Sequence, residues 1–176
     1  MNMKKVICLW AVALAFVLVG CHNGKTTKTS IDDVKKAENT LFNSDMSTNP
    51  EAVPEAIAAF TKYVDDNPEA ADAPEVLFKA VEIAVNTKQD PQQSIGLVNK
   101  LVTGYPKFDK NPVALFMLAS FVYEERLGDL DKARETYQQI IDNYPDSPFA
   151  SDAALSIEHL GMTPEELIRM FEEREE

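Results

Sequence analysis

Two cysteines, two histidines and a surplus of carboxylates are the residues that could do chemistry in this chain. A nucleophile needs a base, a metal needs several converging ligands, and a phosphate needs a glycine-rich turn or clustered cations. No pair of histidines stands at metal spacing, no glycine-rich turn is present, and no serine is flanked by glycines in the hydrolase manner. His159 follows Glu158 near the end of a helical pattern, where an imidazolium would meet the negative end of the helix dipole. His22 has no second His, Asp or Glu near it and reads as solvated. Asp32 and Asp33, Asp65 and Asp66, and Glu124 and Glu125 are adjacent, so each pair diverges on a helix or occupies a turn. The chain therefore reads as a non-enzyme, with no catalytic, cofactor-binding or metal-binding residue expected.

Charge narrows the partners. The chain carries 29 Asp and Glu against 17 Lys and Arg, a formal charge of −12, which opposes binding to a phosphate backbone. Nucleic acid is excluded as an expected partner. With 176 residues, 45% of them hydrophobic, the chain can bury one modest core or a short repeat array. Six glycines and two cysteines fit neither a collagen-like nor a disulfide-framework chain.

Lys4 and Lys5 precede Val6 to Val19, fourteen residues without a charge, too few to span about 30 Å of hydrocarbon comfortably. A basic start, a short apolar centre and a small-residue exit are the layout of a secretory signal peptide. Leu18, Val19, Gly20 and Cys21 resemble a bacterial lipobox, in which cleavage falls before a lipidated cysteine. That resemblance implies residues 1–20 as a lipoprotein signal peptide and Cys21 as the site of lipid attachment. Cys8 would leave with the signal, and a Cys21 sulfur held as a thioether would have no further chemistry. Several acyl chains, at about 0.8 kcal/mol per buried methylene, would anchor the protein durably. Residues 21–30 contain no large apolar side chain after Cys21 and read as a lipidated flexible tether. Residues 31–176 hold 29 acids and 13 bases, so this body carries −16 and should stay off anionic membrane surfaces. No acidic residue follows the cysteine among His22, Asn23, Gly24 and Lys25, which favours the periplasmic face of the outer membrane over surface display.

The body repeats. Pro68, Pro106 and Pro145 are spaced by 38 and 39 residues, a period typical of helical solenoids. Twelve positions before each proline lie Ala56, Ser94 and Ala133, eight before lie Phe60, Val98 and Tyr137, and five before lie Tyr63, Leu101 and Ile140. Val64, Val102 and Ile141 stand four before. These offsets share one helical face, with a small residue where another helix must approach closely. Gly128, Asp129, Leu130, Ala133, Tyr137 and Pro145 resemble the second-helix half of a tetratricopeptide repeat, and Ala56, Phe60 and Pro68 match it again. The middle copy departs from the pattern at Ser94 and Val98.

Ser30 with Asp33, Asp90 with Gln93 and Thr163 with Glu166 have the form of helix-starting caps, and Asn111 and Ser147 precede prolines in the same way. The spacing predicts helices over about 30–46, 52–66, 74–87, 91–103, 112–127, 130–143, 148–160 and 164–175. Val113 to Tyr123, apolar except for Ser120, is expected to be buried on nearly all sides. Leu167, Ile168 and Phe171 should form the dry stripe of a capping helix. The expected fold is all-α, a short solenoid of about four antiparallel helix pairs across residues 31–176. The resemblance implies a membrane-anchored envelope scaffold that binds a protein or peptide partner, serving envelope assembly. The alternative is a periplasmic protein that holds a peptide or small ligand in its groove. Outer-membrane β-barrel assembly lipoproteins and periplasmic division-coordinating repeat proteins are similar in their turns, here Tyr144, Pro145, Asp146 and Ser147.

Overall fold

Three turns before the repeated prolines share one backbone geometry. Asn67, Tyr105 and Tyr144 end their helices at φ,ψ of −138°,54°, −132°,64° and −136°,52°. Their N–H groups donate to Tyr63, Leu101 and Ile140 at 2.9, 2.8 and 2.9 Å, and their carbonyls accept from Ala70, Phe108 and Ser147 at 3.0 Å each. A residue before proline is driven out of the α region, and the proline cannot extend the helix, so the same turn recurs.

The computed structural model describes residues 28–45 and 47–174; the expected signal peptide over 1–20, Cys21, His22 and the tether up to residue 27 lie outside them. The helices are α1 (Ile31–Thr40), α2 (Val53–Asp66), α3 (Ala73–Asn86), α4 (Pro91–Gly104), α5 (Asn111–Met117), α6 (Leu130–Asn143), α7 (Pro148–His159) and α8 (Pro164–Arg174). A π-helical segment, Leu118–Leu127, continues α5. Proline occupies the first turn of α2, α3, α4, α5, α7 and α8, where its missing N–H would have had no helical partner. Successive helices pair as α1 with α2, α3 with α4, and α5 plus the π segment with α6, while α2 on α3 and α6 on α7 join the stack. The result is the expected all-α solenoid.

Its core follows the repeat register. Ala56, Ser94 and Ala133 are fully buried, as are Phe60, Val98, Leu101 and Ile140, with Tyr63 and Tyr137 nearly so. First helices carry their own register: Leu77 and Leu115, Ala80 and Leu118, and Ala84 and Val122 are buried pairs 38 residues apart. The second helices are offset by 39, as Ser94 and Ala133 show. The extra residue therefore lies between Val122 and Asp129, where the wider π turn absorbs it. Gly128, at φ 62°, then reverses the chain with its N–H on the Tyr123 carbonyl, a conformation that suits glycine.

Several expectations need correction. The first helix stops at Thr40 instead of about 46, because its continuation is rich in side chains that compete for the backbone. Asn43 donates to the Ser47 carbonyl at 2.8 Å and Asn49 to that of Leu41 at 2.7 Å, while the Asp45 carboxylate accepts from the Ser47 N–H at 3.0 Å and hydroxyl at 2.6 Å. An isolated antiparallel bridge between Phe42 and Thr48 closes this turn. Asn111 caps nothing: it lies inside α5, fully buried, and its Nδ2 donates to the Tyr105 carbonyl at 2.8 Å. Asp90 caps α4 through the Gln92 N–H at 3.0 Å and not through Gln93. Phe121 remains 39% exposed within the otherwise largely buried run 113–123. Ile168 and Phe171 stay 58% and 51% exposed, so α8 lays no dry stripe on the body.

Two substitutions separate packing from polarity. Tyr137 sits edge-on to Phe116 at 5.3 Å, and Tyr137→Ala should cost about 3–5 kcal/mol in urea denaturation. Ser94 buries its hydroxyl with no hydrogen-bond partner at the position where Ala56 and Ala133 stand in the other repeats. Ser94→Ala should raise stability by about 1 kcal/mol in the same experiment, by removing an unsatisfied polar atom.

Candidate functional site

The turn after α1 builds one wall of the site. Because it departs from the helix at Leu41, successive side chains diverge: Leu41 points into the core and Phe42 is left 50% exposed. The opposite wall is α3, whose Lys79, Glu82, Ile83 and Asn86 follow one another at helical spacing. Between them opens a cavity of about 360 Å³ on the side of the first helices, floored by Leu41 and Phe60. Lys79 Nζ reaches across it to Glu38 Oε1 at 2.8 Å. Burial pushes the Glu82 carboxyl above its ordinary value, against the smaller pull of Lys110. Lys110 itself is bonded to Glu75 at 2.6 Å, which raises its pKa, and its ammonium lies 5.1 Å from the centre of the Phe78 ring.

Contacts one repeat long tie successive helix pairs to one another. Glu38 to Lys79, Asp65 to Lys100 at 2.5 Å, Glu75 to Lys110, and the Tyr105 hydroxyl to the Pro68 carbonyl at 3.0 Å span 35 to 41 residues each. Arg126, in the π segment, donates to the Val85 carbonyl and, at 3.4 Å, to that of Gln89, supplying positive charge at the C-terminal end of α3. At the entry to the body the Thr29 N–H donates to Asp66 Oδ2 at 2.7 Å and its carbonyl accepts from Asn67 at 2.8 Å. The tether expected over 21–30 is thus fixed to the end of α2 by Thr29, one residue before the helix cap. Ser30 then forms the expected capping box with Asp33, and Thr163 forms one with Glu166.

The other residues singled out by chemistry are dispersed. Cys21, the expected lipid-attachment residue, lies outside the described residues. The acid pairs diverge: Asp33 caps α1, Asp65 and Asp66 take Lys100 and Lys62 as partners, and Glu124 accepts from the Tyr137 hydroxyl at 3.3 Å. His159 occupies the last turn of α7 with its ring edge-on to Phe171 at 5.8 Å. Among the described residues no group of three or more His, Cys, Asp or Glu is placed to hold a metal ion. Sequence reasoning missed the cavity, although a polar run around Phe42 marks its wall.

Residues 113–147, from α5 through the π segment and α6 to the third proline turn, match the family model for the tetratricopeptide repeat. The chain contains a tetratricopeptide repeat. No curated protein matches it in sequence. The matched tetratricopeptide repeat is the one with the π segment, and the buried register of α3 and α4 repeats it one unit earlier. Such repeats mediate contacts between proteins in general, and the cavity, lined by residues 38–87, lies outside the matched segment.

Thr29 supplies a pH test. The ammonium of Lys62 and the Thr29 N–H hold the Asp66 carboxyl far below its ordinary value of 3.8. A depressed carboxylate contributes its stability above the unfolded value and loses it as pH falls through the folded one. The Thr29 amide should therefore stay protected from hydrogen exchange at pH 4 and lose protection only in stronger acid, and Asp66→Ala should expose it at all pH values.

Proposed function

We propose that this chain is a lipid-anchored scaffold of the cell envelope, tethered through Cys21 and recruiting a protein or peptide partner with its helical repeats. The observation that carries the reading is the helical repeat itself, with an open cavity between α1 and α3 bridged by the Lys79–Glu38 pair. The lipobox-like Leu18–Cys21 supplies the anchor. Eight residues from Cys21 to the clamped Thr29 limit the body to about 29 Å from its lipid, close enough to concentrate it at a surface. The acidity of the body favours standing off that surface. The periplasmic face of the outer membrane fits the residues after Cys21, and the role suited to that position is envelope assembly. A second reading, a peptide or small-ligand binding protein, is favoured by the cavity volume of about 360 Å³, which falls within the usual range for small-ligand sites.

Among the described residues no helix is long and apolar enough to cross a membrane. Cys21→Ala should therefore move the protein from washed membranes to the soluble fraction, and its retention there would refute the anchor. In-cell crosslinking at native abundance should yield an envelope protein; a bare result, with a metabolite raising the melting temperature instead, would favour the second reading.

A further inference from the structure

The charges around the cavity do not balance. Lys79 is bound to Glu38 at 2.8 Å and Lys110 to Glu75 at 2.6 Å, so the two cations that act on Glu82 are each engaged with another carboxylate. Glu82 makes no hydrogen bond or ion pair of its own among the described residues. It lies on the cavity wall, partly buried, one turn along α3 from Lys79. A carboxylate partly stripped of water, whose neighbouring cations are bonded elsewhere, is unfavourably placed, and the missing direct contact is one that a cation from outside can provide. An anion has no equivalent place: it would have to displace Glu38 from Lys79 while approaching Glu82.

Shape selects among cations. The apolar surface open to the cavity is that of Ile83 and Phe42, since Leu41 and Phe60 beneath it are almost wholly buried, and Glu82 and Asn86 flank Ile83 on α3. A compact inorganic cation leaves that surface uncovered. A lysine or arginine covers it with its aliphatic stem and delivers its charge at the tip. Phe42, half exposed beside the cavity, offers a ring face to a guanidinium or an apolar surface to a neighbouring side chain. The body's charge of −16 draws basic segments toward this site.

Resting on the scaffold reading, we infer that this cavity takes a lysine or arginine side chain from an extended, basic segment of the partner protein, paired with Glu82. The test uses the full chain in detergent and three fluorescein-labelled nonapeptides of serine and glycine. Each carries a central leucine followed by arginine, norleucine or glutamate. Fluorescence anisotropy should show the arginine peptide binding about tenfold or more tightly than the other two. Glu82→Gln should erase that preference, while Asp131→Asn, which removes an exposed carboxylate from α6, should leave it intact. Should Glu82→Gln fail to fold by circular dichroism, Glu82→Asp, with the charge withdrawn by one methylene, should weaken the arginine peptide alone. Equal binding of all three peptides, binding of none, persistence of the preference in the Glu82 variant, or equal losses in both variants would each overturn the inference. Crosslinking to envelope proteins reads the scaffold proposal independently.

Discussion

The fold depends on helices approaching closely at Ala56, Ser94 and Ala133. Each of these residues is fully buried, and a larger side chain follows one turn later at Phe60, Val98 or Tyr137 to fill the flank of the crossing. Reversing that order would separate the helices by the size of the added side chain, and overpacking of this kind costs about 1–3 kcal/mol per site. One helix pair cannot cover its own outer surface, so the next pair must. That is why cooperativity here runs between neighbours, and why α3, with α2 and α4 against it, buries Ala73, Leu77, Ala80, Val81 and Ala84 completely.

The second helices were legible in the sequence because one contact fixes them: small residue, large residue and proline turn recur together, and each leaves a residue type behind. The first helices left weaker traces. Their buried faces hold residues of different sizes, Ala80 against Leu118 and Ala84 against Val122, so register survives while identity does not. The end of α1 was illegible for a different reason. Polar side chains between Asn43 and Asn49 satisfy the backbone locally, and that competition depends on three-dimensional geometry, not on periodicity. The π segment shows only as a change from 38 to 39 residues. Asn111 misleads because the residue before a proline resembles a cap whether its side chain turns outward or, as here, bonds to Tyr105. The cavity escaped notice because its walls come from two repeats.

Much of the body's positive charge serves its own assembly. Lys79, Lys100, Lys110 and Arg126 each reach back to the preceding repeat. Partly exposed ion pairs of this kind contribute only about 0–1 kcal/mol each, so they do not hold the solenoid together. What they do is tie a point on one repeat to a point on the next. Using cations internally also leaves the acidic excess on the surface, where it acts on whatever approaches.

The two ends of the solenoid are built differently. At the first, α1 carries a capping box, and Thr29 is bonded to both Asp66 and Asn67, so the end that faces the expected anchor is closed by polar contacts. At the other, Leu155, Met162, Ile168 and Phe171 are exposed. An isolated helix of eleven residues is marginal in water, so α8 needs help from its surroundings. It receives the Thr163–Glu166 box, the ring contact between His159 and Phe171, and a turn at Gly161 whose φ of 79° excludes most other residues. A Cβ at Gly161 would also lie 2.8 Å from Leu130 Cδ1, so the start of α6 and the approach to α8 share one close contact. Those few interactions place α8 at the low end of local stability, whereas α3, which forms one wall of the cavity, is packed between α2 and α4. With Thr29 clamped at one end and the loosest helix at the other, the arrangement suits the proposed scaffold, whose cavity would be presented near the expected anchor.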